Sequence, residues 1–132
     1  MEYIIVGDPI PLSRARHGNG KTWDPQKQLK LHWKLMLEDQ HKDKPLLTGP
    51  LHMEIVFFMA KPQTSMKRKL ELDGKPQFYK PDLDNLIKWV CDCSSNVLFK
   101  DDALVASLEC RKVYDDQPRT YIKIIEMNNG KS

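Results

Sequence analysis

The stretch Lys80-Pro81-Asp82-Leu83-Asp84-Asn85-Leu86-Ile87-Lys88 reads as the opening of a helix. Lys80 precedes a proline and is biased to extended geometry, so the helix cannot easily begin before Asp82. Leu83, Leu86, Ile87 and Val90 then form one apolar stripe, while Asp84, Lys88 and Asp92 share the opposite polar face at i, i+4, i+8 spacing. The pattern predicts a helix from Asp82 to about Asn96. One capping acid would suffice at such a start. Here Asp82 and Asp84 are both present, and Asp101-Asp102 follows further on.

After that doublet, Leu104, Ala106, Leu108 and Cys110 alternate with Ser107, Glu109 and Arg111, which is a strand pattern. Asp115-Asp116-Gln117-Pro118 reads as a hairpin turn, Thr120 to Glu126 as the last strand, and 127–132 as a frayed tail. Upstream, Glu2 to Val6 reads as an opening strand, broken by Gly7-Asp8-Pro9-Ile10-Pro11 and followed by a polar loop to about Thr22. Asp24-Pro25 predicts a helix start, and Leu29, Trp33, Met36 and Leu37 carry that helix to about His41. Leu51, Met53, Ile55, Phe57 and Met59 then mark one side of a core strand. The order strand, helix, strand, helix, strand, strand implies a single α+β domain over 1–132. Its expected architecture is a four-stranded mixed or antiparallel sheet with two main helices (β-α-β-α-β-β) and a basic, flexible arm at 61–81.

Composition bounds the function classes. At 132 residues, 40% apolar and 30% charged, the chain has the make-up of one ordinary globular domain. A net charge of +3 excludes a histone-like polycation. No stretch is long and apolar enough to span a bilayer, and Met1 to Val6 lacks a basic-then-apolar signal pattern, so a cytoplasmic protein is expected. Cys91-x-Cys93 can be drawn as a metal site with His52 or Cys110, but free, buried or half-buried thiols are the plainer reading. The arm holds Lys61, Lys67, Arg68, Lys69, Lys75 and Lys80 against only Glu71 and Asp73. It is either a solvated loop, with Thr64 or Ser65 able to cap a short helix, or a phosphate-contacting surface.

Each aspartate admits a local structural duty: Asp82 as a cap, Asp84 paired with Lys88, Asp101-Asp102 as loop residues before a strand. Such an exposed pair contributes only about 0.3–0.5 kcal/mol. A divalent cation would employ all of them. Hard oxygen ligands from Asp82, Asp84 and Asp102, with or without Asp101, suit Mg²⁺ or Mn²⁺. In phosphodiester cleavage Lys88 could supply charge to the developing phosphorane, and Asn85 could orient a carboxylate or the attacking water.

Lys-Pro-Asp-Leu-Asp-Asn-Leu-x-Lys at the helix start, with Leu98-Phe99-Lys100-Asp101-Asp102-Ala103-Leu104-Val105 at the strand entry, resembles the RusA-type Holliday-junction resolvases, including their prophage-borne members. The resemblance covers nearly the whole chain. It implies a homodimeric, Mg²⁺-dependent endodeoxyribonuclease that nicks four-way DNA junctions symmetrically in recombination and repair, without a nucleotide cofactor. The family's catalytic aspartates fall on Asp82, Asp84 and Asp102, its lysine on Lys88, and positions of less defined role on Asp101 and Asn85, with Asp92 on the same polar helix face. The basic residues Arg14, Arg16, Lys21, Lys67, Arg68, Lys69 and Lys80 are expected to touch DNA. Phe78-Tyr79 stands where some members have consecutive arginines; packing against the helix is the expected role, stacking on bases the alternative. Two other functions compete: a branched-DNA-binding protein without catalysis, and a metal-dependent small-molecule phosphatase, which would need a closed pocket.

Overall fold

A computed structural model describes residues 1–13, 16–18 and 20–127. Its elements are β1 (Glu2–Val6), β2 (Arg16–Gly18), β3 (Lys21–Trp23), α1 (Lys27–Gln40), β4 (Leu51–Ala60), α2 (Met66–Leu72) and α3 (Leu83–Ser94). A short 3₁₀ turn at Asp102–Leu104 leads into β5 (Val105–Asp115), and β6 (Arg119–Glu126) closes the chain. No described helix is long and apolar enough to cross a membrane.

Alternation through β4 turns Leu51, Met53, Ile55, Phe57 and Met59 to one side, and all five are buried. They meet Ile122 and Ile124 of β6 and Tyr3 and Ile5 of β1 in one core, roofed by α1 through Trp33 and Leu37 and by α3 through Leu86, Trp89, Val90 and Cys93. Trp33 and Trp89 lock the two helices edge to face, with ring centroids 6.0 Å apart at 86°. Burying each large apolar side chain stabilises by about 1.5–3 kcal/mol. The result is the expected α+β architecture, a four-stranded mixed sheet under helices.

The sheet order is β1-β6-β4-β5, with β4 and β5 parallel and the other pairs antiparallel. This corrects the expected closing hairpin: β5 and β6 are consecutive but β4 lies between them. Because the crossover through α2 and α3 returns β5 parallel to β4, the turn after β5 must bridge the end of β4 to reach β6. Lys61, directly after β4, sits beneath that turn with its side chain 4% exposed, 2.7 Å from Asp116 and 3.0 Å from Asp73. Arg119 closes the turn, 2.7 Å from Asp115, with its guanidinium 3.7 Å from the Phe58 ring centroid.

Other boundaries also shift. The polar loop expected to run to Thr22 contains the antiparallel ribbon β2–β3; Gly20 adopts φ +73, and Asn19-Gly20 is the sequence signal for such a ribbon. Asp24 does not cap α1. Its carboxylate accepts from the Gln26 N–H at 2.8 Å and from Lys30 Nζ at 2.6 Å, forming a turn that delays the helix to Lys27. Leu29, expected inside, is 47% exposed. Segment 61–81 includes α2, capped by Ser65 Oγ accepting from the Arg68 N–H. It then pairs with β5 through Gly74 N–H to Tyr114 O and Gln77 N–H to Lys112 O. The end of the predicted tail, 128–132, lies outside the described residues.

Leu86→Ala, at a fully buried position, is expected to cost about 2–5 kcal/mol of unfolding free energy in a urea titration. Asp84→Ala, on the exposed face of the same helix, should stay within about 0.5 kcal/mol of the parent.

Candidate functional site

α3 carries the motif because its apolar stripe fixes its rotation. With Leu86, Trp89, Val90 and Cys93 buried, Asp84, Lys88 and Asp92 are exposed. Asp82 occupies the N-cap position, yet its side chain makes no capping hydrogen bond. It turns instead to Lys80, with Nζ 2.9 Å from Oδ1. Asp84 lies 3.8 Å from Lys88 Nζ, a loose contact between groups that are both mostly exposed. Asp101 does cap: it accepts from the Ala103 N–H at 3.0 Å and starts the 3₁₀ turn. Asp102 is exposed beside it.

Asp101 and Asp102 crowd each other, and their carboxyl groups shift in opposite directions. Asp101 is held below the usual carboxylate range, first by the Ala103 N–H and then by Asp102. Asp102 is pushed up, first by its hydrogen bond with Asp101, then by partial burial and by the charges of Asp101 and Asp92. Crowded carboxylates of this kind are relieved by a cation.

An open groove runs along α3. One part, about 280 Å³, is lined by Leu12, Ile87, Lys88, Cys91, Asp92 and Asp102. The next, about 360 Å³, is lined by Leu12, Ser13, Asn85 and Lys88. Lys88 thus joins Asn85 on one side to Asp102 and Asp92 on the other. The wall from the N-terminal loop is held by Leu12 N–H donating to Asn85 O at 2.9 Å and by Gln26, which bridges Pro11 O and the Ser13 N–H. Asp92 is tied to α1 through Lys30 at 3.2 Å, and Lys30 also holds Asp24. Burial pulls the Lys30 ammonium down, but Asp24 and Asp92 together outweigh it and raise its pKa.

Asp82, Asp84 and Asp102, expected to hold one ion, do not have ligand atoms all within 4.8 Å of one another. Among the described residues, the group whose ligand atoms all lie within 4.8 Å of one another is His52, Glu54 and Glu109. As a group these three escaped sequence reading, which drew His52 only with the cysteines. His52-x-Glu54 marks one strand face, but only the β4–β5 register brings Glu109 beside Glu54. The cysteines are free, and burial pushes Cys91 up to about 11 and Cys93 to about 12, with nearby aspartates adding to both, so neither is a ready thiolate ligand at neutral pH.

Of the residues expected to touch DNA, Arg14 lies outside the described residues, and for Arg16 and Lys21 only the strand assignment is described. Lys67 and Arg68 are exposed on α2, with Arg68 near Glu71, while Lys69 is half-buried. The Lys80 side chain is 85% exposed. Phe78 and Tyr79 do not pack against the helix as expected: they are 77% and 63% exposed, and their rings stack on each other with centroids 4.6 Å apart. The backbone beneath them is braced by Lys112, whose Nζ donates to Tyr79 O and Pro81 O, both at 2.7 Å.

The sequence model of the family described as Endodeoxyribonuclease RusA matches residues 7–125. This chain belongs to the RusA endodeoxyribonuclease family. The RusA match takes in α3, the Asp101-Asp102 turn and the N-terminal loop that walls the groove. The chain is also similar to an uncharacterised protein, YqaN, of Bacillus subtilis (strain 168), at 30% identity over 138 residues and 97% of each chain.

The coupling of Asp101 and Asp102 is open to direct test. Asp101→Asn can keep the cap on Ala103 while donating to Asp102, so the Asp102 pKa is expected to fall, read by carbon-detected carboxylate NMR of metal-free protein. An unchanged or higher value would separate the two groups.

Proposed function

We propose that this RusA-family protein is a Mg²⁺-dependent endodeoxyribonuclease that resolves four-way DNA junctions by paired, symmetric nicks. The observation that supports this reading best is the lack of structural employment for three acids. Asp82 sits at a cap without capping, Asp84 is loosely paired, and Asp102 crowds its neighbouring acid in the groove that Lys88 also lines. Surface carboxylates with no part in holding the fold are suited to serving a ligand.

The donor set fits the metal. Asp82, Asp84, Asp102 and Asp101 offer only hard carboxylate oxygens, which suit Mg²⁺ and admit Mn²⁺ as a substitute. Two of the four already attract lysine ammonium groups, from Lys80 and Lys88. Bound there, the ion would supply an activated water and polarise the phosphodiester. Lys88, released from Asp84, would stabilise charge developing on the phosphate. Asn85, whose carbonyl is engaged with Leu12, would orient a carboxylate or the attacking water through its side chain. Asp92, held by Lys30, keeps the groove floor in place.

DNA contacts follow from the surface. The exposed Lys67, Arg68 and Lys80, with Lys69 and the basic residues of the N-terminal loop, would offset the repulsion between an acidic site and phosphate. A homodimer matches the two-fold symmetry of a junction and would present one site to each of two strands. The groove beside α3 is open rather than a closed pocket, which favours a polymer over a small phosphate ester.

The deciding experiment incubates protein with labelled four-way junction and matched linear duplex, with Mg²⁺ and with chelator. Paired nicks on the junction alone, and only with metal, are expected. Asp82→Asn and Asp102→Asn should each lower cleavage by orders of magnitude and leave junction binding intact. Binding without any cutting by the parent protein would favour the non-catalytic alternative. Separately, the Phe78→Ala/Tyr79→Ala double variant is expected to lose about 1–3 kcal/mol of junction binding with unchanged thermal stability, because the exposed pair is read as a base-stacking platform. Full retention of affinity would remove that role.

A further inference from the structure

We propose that His52, Glu54 and Glu109 form a second metal site, for Zn²⁺ or an ion of similar preference, on the open face of the sheet. It is separate from the groove beside α3 and does not depend on the function proposed there.

The face is set by register. His52 and Glu54 are alternate residues of β4, pointing away from the core, and their Cα partners across the parallel pairing are Ser107 and Glu109 of β5. Neighbouring strands run about 4.7–4.9 Å apart, so Glu54 and Glu109 stand side by side. Like charges in that position are destabilising. Lys123, the partner of Glu54 on β6, offsets part of the charge from the far side. On the β5 side a depression of about 380 Å³ is lined by Glu54, Glu109, Arg111 and Tyr121 among others, so Arg111 offsets part of the charge there.

His52 supplies what a cluster of acids alone would lack. Its Nδ1 lies 2.8 Å from Ser107 Oγ, and its Nε2 is 3.4 Å from Glu54 Oε1. Donation of the Nδ1 proton to Ser107 would direct the Nε2 lone pair toward the carboxylates. This is the usual arrangement of a metal-bound imidazole, oriented through its other ring nitrogen. One imidazole and two carboxylates make a borderline donor set that suits Zn²⁺ better than Mg²⁺, with a water completing the tetrahedron. An ion there would staple β5 to β4 at a point seven residues beyond Asp102, and so would brace the strand that carries the Asp101-Asp102 turn.

The test titrates ZnCl₂ into chelator-treated full-length protein by calorimetry. One equivalent is expected to bind, and to bind equally in Asp82→Asn/Asp102→Asn, which disables only the other site. His52→Ala and Glu109→Gln should each weaken binding at least about 10-fold, and Ser107→Ala about 10-fold through the imidazole it orients. X-ray absorption at the zinc edge should show nitrogen and oxygen at about 2.0–2.1 Å. If His52→Ala fails to fold, Glu109→Gln carries the test, because Glu109 is exposed on the edge strand. Absence of zinc binding, full binding by Glu109→Gln, loss in the aspartate double variant, or a sulfur shell near about 2.3 Å from the cysteines would each overturn the site.

Discussion

The burial of one face of α3 is the constraint on which the rest of the structure depends. Leu86, Trp89, Val90 and Cys93 each have no exposed surface, and Trp89 meets Trp33 edge-on. A helix held by four such contacts cannot rotate without opening a cavity, and cavities cost several kcal/mol. Its polar face is therefore fixed as firmly as its apolar one. Asp84, Lys88 and Asp92 are aimed by residues that take no part in any chemistry. The same packing seats the Asp101-Asp102 turn, which follows the buried Leu98 and Phe99.

That division of labour explains why the acidic residues are poor stabilisers. Asp82 is placed where a cap belongs and does not cap. Asp102 is paired with another acid. Lys61 and Arg119, by contrast, are cations engaged in holding the fold, one beneath the turn after β5 and one across it. The basic residues thus fall into two groups, those with carboxylate partners in the framework and those, such as Lys67 and Lys80, left toward solvent.

Much of this was legible because local periodicity reports local burial. The alternation in Leu51 to Met59 and the stripe in Leu83 to Val90 each mark a buried face, and both elements stand where that pattern puts them. Trp89 and Cys93 were missing from the predicted stripe, although each continues it at helical spacing. The closing hairpin failed for a different reason. Adjacency in sequence says nothing about a third strand inserting between two neighbours, and β4 does so here. Asp24 misled because a carboxylate that can cap a helix can equally make a turn before one. Of the site, the acids and Lys88 were visible as surplus charge. The His52, Glu54 and Glu109 cluster was not, since it exists only through long-range register, including a shift between Leu51 and His52.

The outer border of β5 has one further consequence. Residues 74–77 lie along it, with Tyr114 N–H donating to Lys75 O, Tyr114 O accepting from the Gly74 N–H, and Pro76 bridging Val113. An uncovered strand border is a template for unwanted association between molecules. The segment leading into the acidic helix is therefore also a guard rail for the sheet, and a version of this protein trimmed there would be prone to stick to itself before any loss of chemistry was noticed.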